Sequence, residues 1–538
     1  MPAEVEKILL RDSHLYDLNS NWRNYFEDLS SFCLPRKAWI NTPRTRGERI
    51  KTNFLYDSTA IRAVKTMSAG FHHNLTNEAS KWFGLMPIDQ DLQDNKDVKL
   101  YFTAVEDKIF QTLNRSNFNQ VIQEFYGDAG VFGTGDVMTM EDNVTKVRFR
   151  CIPIEQLSFE EDSNGRVEAC FWNFKLKVFQ AYEMWGKDAG ETVMKKLKSH
   201  PQDELPFLHY VGPRHRRQEG MKDAKNYPFE SLWISKADKH LITEGGFEEF
   251  PHAVGRFWKE DIEPFGFSPA MDVLPDIKLA NAMWRTLLRA SMKQTDPPLD
   301  APDKGYQLPL NMNPSAVNYR NPKLTADQQI RAIENRGNIP VGLEMIERVQ
   351  RCIDEGFYVP LFKTLSDLTK EMTVPEVQRR ILEHMVLLAP VVGRFTNEVL
   401  SPTVLRVMNI LQRRGDLPEP PEMLQGKEFD VVFTSQLAKA QRESDLVSLQ
   451  GFLSEISGIA TVKPSVLDKI DEDAAVDVIA NIRGVNPKIL RGPKEVEEIR
   501  GQRAQQEQAV AAMQAAQTGA EVIDKGASAS QKMSKEGK

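Results

Sequence analysis

The sequence has 538 residues, 41% of them hydrophobic and 27% charged, enough for roughly three or four packed domains. No run approaches the roughly 18 apolar residues that a membrane span requires. A formal charge of −7 argues against a protein that grips nucleic acid by neutralising many phosphates.

Along the first segment Leu15, Leu18, Trp22, Tyr25, Phe26 and Leu29 recur at threes and fours, which predicts an amphipathic helix. The opening MPAEVEKILLRDSHLY carries acids where a secretory signal would carry bases. Between Arg36 and Lys51 the bases Arg36, Lys37, Arg44, Arg46, Arg49 and Lys51 face a single acid, Glu48, around Pro43 and Gly47. This predicts a basic loop, either solvated or in contact with nucleic acid or an acidic neighbour. Thr59 to Leu75 suits a helix, and SKWFGLMPID a strand running into a loop. GVFGTGDVMTMED, VRFRCIPI and ACFWNFKLKVF read as turn and strands, so a mixed helix and sheet domain extends to about Phe265. Within it Arg214, His215, Arg216 and Arg217 form a second basic knot with the same two readings as the first.

Ser268 is placed to cap a helix that has Pro269 at its first position, and from Asp276 onward Ile277, Ala280, Trp284, Leu287 and Ser291 share a stripe. Thr295 to Pro340 is rich in Pro, Asn and Gly with little periodicity, which predicts a projecting, loop-rich element. Helix resumes with Ile346, Val349, Ile353 and Phe357 until Pro360, and a short polar segment from Phe362 to Met372 follows. Thr373 and Glu376 then fit a capping box for the longest predicted helix, whose apolar stripe runs from Val377 to Leu411. If continuous it spans about 60 Å, with kinks predicted at Pro390 and Pro402 and a stop at Arg413, Arg414 and Gly415. FDVVFTS predicts a strand, followed by helical pieces at 436–451 and beyond, 465–482 and 493–523, and a disordered ending, GASASQKMSKEGK.

Catalytic chemistry does not nominate itself. There is no Walker A sequence, and GTGDVM beginning at Gly133 has Met138 where a dinucleotide fingerprint needs its third glycine. Gly266-Phe267-Ser268-Pro269-Ala270 resembles a nucleophile elbow only loosely, and its Pro suits helix capping better. His72 and His73 are adjacent, so on a helix they point about 100° apart and do not share a metal easily. Cys33, Cys151, Cys170 and Cys352 are widely spaced, with no C-x-x-C pair. No cofactor, metal or catalytic residue is predicted.

The order of these elements, and the local wording of YDSTAIRAVKTMSAGFHHNLTNEASKWFGL, GVFGTGDVMTMED, GFSPAMDVLPDIKLANAMWRTLLRA and EMTVPEVQRRILEHM, resembles the portal proteins of short-tailed phages of the head-to-tail connecting family. The resemblance runs from about Asn21 to Val522; its departure is Phe265, where relatives often carry Tyr. It implies an α+β, mainly helical portal fold and no enzyme. The wing would be 1–265, completed by a long kinked helix and strand at 373–434. The stem would be 266–294 and 341–361, with the clip at 295–340 between its helices. A tunnel loop at 362–372, a helical crown at 435–525 and a disordered tail at 526–538 complete the assignment.

The implied function is a ring, twelve copies in this family, at one capsid vertex, serving as DNA channel for packaging and ejection. Implied partners are the terminase large subunit, tail adaptor or nozzle proteins, major capsid, scaffolding and internal core proteins, and duplex DNA passing without sequence-specific reading. No membrane is involved; the protein would be assembled in the host bacterial cytoplasm and end in the virion. Within the tunnel loop the resemblance points to Lys363 and Lys370 as the bases that reach toward DNA. Two other readings are a different scaffold or tail component and an enzyme whose residues converge only in space.

Overall fold

The computed structural model describes residues 2–42, 47–50, 52–93, 95–217, 221, 223–300, 306, 309–311, 317–319, 323, 325, 330–333, 339–366, 388–424, 427, 429–433, 449–457, 472–483, 489, 491, 495–506 and 508–509. The architecture is α+β and mainly helical. It forms two compact units, one of Met1–Gly84, Val105–Leu417 and Val431–Ala440, the other of Leu85–Ala104, Pro418–Asp430 and Gln441–Lys538.

The chain opens with α1 (Pro2–Leu18) and α2 (Ser20–Cys33), so the single predicted N-terminal helix is broken at Asn19. Next come α3 (Thr59–Leu75), β1 (Phe83–Pro87), α4 (Gln90–Gln93), α5 (Lys96–Arg115) and α6 (Phe118–Phe132). Gly133, at φ +73°, ends α6 in the left-handed conformation that a side chain resists. It leads directly into β2 (Thr134–Asp142), which pairs antiparallel with β3 (Lys146–Ile152).

A five-stranded antiparallel sheet follows, built from β4 (Leu157–Glu161), β5 (Val167–Lys177), β6 (Glu204–Pro213), β7 (Phe229–Ser235) and β8 (His240–Phe247) in sequential order. Between β5 and β6 lie α7 (Val178–Trp185) and α8 (Glu191–Lys196). Alternation along the strands sends successive side chains to opposite faces. Leu208 and Tyr210 of β6 therefore join Val5 and Ile8 of α1 in one core, while Leu205 and Phe207 join Val178, Ala181 and Val193 of α7 and α8 in another. Both faces of the sheet are covered, which is why its sequence is apolar beyond simple alternation.

β9 (His252–Arg256) returns to the other side of β2 and completes a three-stranded sheet. Ser268 then caps the short helix α9 (Pro269–Asp272), accepting a hydrogen bond from Met271 N at 3.2 Å. The long α10 (Leu274–Thr295) follows, and α11 (Ile339–Gly356) returns antiparallel to it. Of the run between them, the described residues include a two-residue pairing of β10 (Leu299–Asp300) with β11 (Arg331–Ala332). After α11, Phe357 and Tyr358 form a turn, with Tyr358 at φ +58°, and α12 (Val359–Ser366) begins with Pro360 in its first turn. The helix predicted to end at Pro360 thus ends at Gly356, and the segment predicted as polar from Phe362 starts as helix.

Of the long predicted helix, 373–387 lies outside the described residues. The remainder is α13 (388–395), a π-turn at Thr396–Leu400 and α14 (Ser401–Arg413), stopped by Gly415 at φ +69°. The irregularity expected from Pro402 takes the form of that π-turn just before it: the proline has no N–H to give the residue one turn back, and the wider turn re-routes the backbone. β12 (Phe429–Phe433) matches the strand predicted at FDVVFTS and pairs with β1.

Rings of Phe71, Phe125, Tyr126, Phe257, Phe362 and Phe395 converge at centroid distances of 5.3–5.9 Å and hold α3, α6, α12 and α13 together. Such pairs add about 0.5–1.5 kcal/mol each beyond area burial.

In the second unit, helical residues are described at 449–457, Glu472–Arg483 and 495–506, parts of the three pieces predicted there. Leu85–Ala104, read from sequence as part of the N-terminal domain, falls in this unit, where Lys96 reaches Glu495 at 3.4 Å. Among the described residues no helix is long and apolar enough to cross a membrane.

Candidate channel-lining site

The structure brings together two of the stretches that the sequence reading singled out. Gly133, at the end of α6, lies against Gly266 at the start of GFSPAMD. A Cβ on Gly133 would sit 1.9 Å from Gly266 O, and one on Gly266 would sit 2.3 Å from Gly133 O. Gly266 N donates to Thr134 Oγ1 at 2.8 Å, and the buried Ser268 hydroxyl donates to Val131 O at 2.7 Å. Ser268 therefore both caps α9 and ties the root of α10 to the end of α6.

From this root α10 and α11 run as a hairpin that is buried only near its base. Leu274, Ile277 and Ala280 are the buried residues of α10, and Ile346 and Ile353 those of α11. Farther out, small residues (Ala282, Ala290 and Gly342) leave an open groove of about 310 Å3 between the helices. Arg285, Arg289 and Lys293 are exposed at four-residue spacing on α10, one turn apart on one face.

The predicted bases divide into two kinds. Lys37 is structural: its ammonium donates to both carboxylate oxygens of buried Asp128, at 2.7 and 2.6 Å, and pairs with Glu124 at 2.8 Å. Burial by itself would push its pKa down, but the charges of Asp128, Cys151 and Glu124 outweigh it and hold the lysine above its ordinary value. Glu124, Asp128 and Cys151 are spaced as a metal-ligating trio. Lys37 already neutralises their charge, so the set does not fit a cation.

Arg214 is structural as well, with its side chain only 6% exposed and donating to Glu244 Oε1 (2.8 Å), Lys225 O (2.5 Å) and Gly245 O (2.6 Å). For Lys37 and Arg214 the expectation of a solvated or ligand-facing base is corrected: each is spent on an acid brought in from elsewhere in the fold. Arg36, Arg49, Arg216 and Arg217 are exposed. Arg44, Arg46, Lys51 and Lys370 lie outside the described residues.

Lys363 is exposed on α12 beside Phe362, whose ring packs edge-on to Phe71 at 5.3 Å, with the backbone of Gly70 beneath it. The base is carried by a helical turn anchored in the aromatic core rather than by a free loop. Across from it, burial raises the Asp354 carboxyl while the Lys363 charge opposes the rise. The sequence reading missed the Arg285, Arg289 and Lys293 stripe; its signal was an i, i+4, i+8 run of bases in a helix half with no acid.

Comparison with known proteins settles the family. The model of the bacteriophage head to tail connecting protein family matches residues 6–490. The chain belongs to that family. The portal protein of Salmonella phage epsilon15 is 30% identical over 531 residues, covering 97% of this chain and 95% of that protein. The probable portal protein of Bordetella phage BPP-1 is 27% identical over 513 residues, 94% and 92% of the two chains. As a head to tail connecting protein the molecule is a structural component of the phage particle at the junction of head and tail, not an enzyme.

Proposed function

We propose that this head to tail connecting protein is one subunit of a portal ring, twelve copies set at a single capsid vertex, through which duplex DNA enters during packaging and leaves during ejection. The observation that carries this reading is the end-to-end similarity to the portal protein of epsilon15. In this reading residues 1–265 and 373–434 form the wing, α10 and α11 the stem, and 435–525 the crown. The run 295–340, at the tip of the hairpin, is the clip, presented to the terminase large subunit and later to tail adaptor or nozzle proteins. The wing and crown meet capsid, scaffolding and internal core proteins during assembly in the host cytoplasm.

Lys363 and Lys370 are the bases we assign to the passing DNA. An exposed lysine on a short anchored helix suits a transient contact. The acid excess of each copy suits a conduit, because every phosphate neutralised by a base tightens binding and slows release. Mass photometry and negative-stain imaging of the purified chain test the ring: twelvefold rings with a central hole support it, and a sample that stays at 61.3 kDa counts against it. Unchanged packaging and retention of DNA in particles carrying Lys363→Ala with Lys370→Ala would sink the lysine assignment.

A further inference from the structure

The outer half of the α10–α11 hairpin segregates charge by helix. From Ala282 to Thr295 the charged residues of α10 are Arg285, Arg289 and Lys293; from Val341 to Glu347 those of α11 are Glu344 and Glu347. All five are exposed, and among the described residues none has a partner within its own chain. Other exposed bases are paired: Lys278, nearer the root of α10, reaches Asp28 at 2.5 Å, and Arg413 is held by Glu141, Glu248 and Glu249. The unpaired charges share their surface with large apolar side chains, Leu288 and Met292 at 41% and 67% exposed on α10, and Leu343 and Met345 at 40% and 56% on α11. Duplex DNA rewards the bases but gains little from exposed leucine and methionine. A protein surface that is acidic and apolar takes both, and the outer turns of α11, short of Arg348, are such a surface.

The register fixes which residues meet. Val273 packs on Gly356 and Leu287 on Gly342, so the two antiparallel helices advance one for one. Arg285 is therefore level with Glu344, and Leu288 with Val341. Copies related by rotation about an axis along the hairpin keep each residue at its own level. We propose that the exposed flank of α10 in one copy docks on the exposed flank of α11 in the next, with Arg285 facing Glu344 and the Leu288 side chain against Val341. Arg289 lies four residues, about 6 Å of helix, farther out than this level and Glu347 three residues, about 4.5 Å, nearer the root, so each lies about one turn from the Arg285–Glu344 pair. The contact joins two different surfaces of the same chain, the head-to-tail kind that closes into a ring. It rests on the ring reading above and names the stem surface that holds the ring.

Two oppositely charged variants test it. Arg285→Glu with Arg289→Glu leaves both flanks acidic; Glu344→Lys with Glu347→Lys leaves both basic. Like charges set face to face oppose association, so each variant alone is expected to lose at least about tenfold of its ring fraction, read by mass photometry. An equimolar mixture is expected to regain rings, because acidic and basic copies alternate and every interface is again complementary. A single chain with all four substitutions regains them alone. Restoration in either arm supports the contact, and neither arm is open to a misfolded protein. Rings undiminished in both charge variants, or restoration in neither arm, overturns it; undiminished rings whose arginine variant has lost DNA retention would assign the stripe to nucleic acid instead. Wild-type protein that never forms rings defeats the ring reading itself, a separate outcome.

Discussion

At Lys37 a basic side chain in a loop-like stretch has become part of the core, because folding delivers Asp128 to it from 91 residues away. Removing one member of such a pair leaves a buried charge unpaired, so Lys37→Met is expected to cost about 3–5 kcal/mol, measured by denaturant unfolding. Because the folded lysine titrates above its unfolded value, its contribution is complete below the ordinary lysine range and is lost only as pH rises through the folded pKa. In the variant Asp128 is left buried without its cation, and burial already raises its carboxyl in the intact pair, so the penalty is expected to be smaller at pH 6 than at pH 8 as that carboxyl takes up a proton.

His209 behaves in the opposite sense. Fully buried, stacked on Trp233 at 3.9 Å and bonded to Ser231 Oγ at 2.9 Å, it is held well below the usual histidine pKa, first by burial and then by neighbouring His252. The unfolded chain therefore binds a proton that the native state does not. The stabilising contribution is present above about pH 6.5 and is lost as pH falls toward the folded pKa. Wild-type stability is expected to fall from pH 7 to pH 5 with a slope of up to about 1.4 kcal/mol per pH unit from this group. His209→Phe, which retains a ring on Trp233, is expected to flatten that slope; thermal melts of both proteins across the range, with equal slopes, would refute the assignment. Gly133→Ala faces both a positive φ, worth roughly 1–3 kcal/mol, and the backbone of Gly266 at 1.9 Å. The variant is expected to be recovered mostly insoluble, where an alanine at Gly393, with nothing near its Cβ position, is tolerated.

Elements that depend on local chemistry were legible in the sequence. Ser268 and Pro269 announced a helix start, the α3 stripe announced its helix, and the apolar run of FDVVFTS announced β12. What sequence could not supply was pairing at a distance. Arg214 read as one of a basic knot, yet Glu244 on a neighbouring strand claims it. Proline kinks were anticipated at Pro390 and Pro402, but not that Glu398 in the π-turn would accept from Arg256 N at 2.8 Å and Arg256 Nη2 at 3.0 Å. Of the candidate site, Lys363 was found by resemblance, and its anchoring through Phe362 depends on α3, almost three hundred residues earlier in the chain. The α10–α11 hairpin carries its own prediction. Buried at its base and exposed beyond Ala280, α10 has little to protect its outer amides in a lone chain. Hydrogen exchange on dissociated subunits is expected to be slow over 274–283 and fast over 285–295, with the outer half gaining protection in assembled rings. Equal protection of both halves in the lone chain would contradict this.

For the whole molecule, the acid excess sets the relation to DNA. With 69 bases against 76 acids, and with Lys37, Arg214, Arg256, Arg406 and Arg413 committed to internal acids or carbonyls, the field around each copy repels phosphates on average. Affinity of the assembled protein for linear duplex is expected to be no tighter than the roughly 10⁻⁴–10⁻⁶ M of nonspecific binders at physiological salt. A shallow dependence of log affinity on log salt, of only a few units, would accompany it; a steep one would reveal a hidden basic surface. The meeting of Gly133 and Gly266 has a mechanical consequence on this scale. A thrust or twist applied to the α10–α11 hairpin reaches the three-stranded sheet in part through main chain pressed on main chain, fastened by Ser268 and Thr134. The root of the hairpin is thus seated on the sheet glycine to glycine, so at that joint a displacement is passed from backbone to backbone rather than taken up by a change of rotamer.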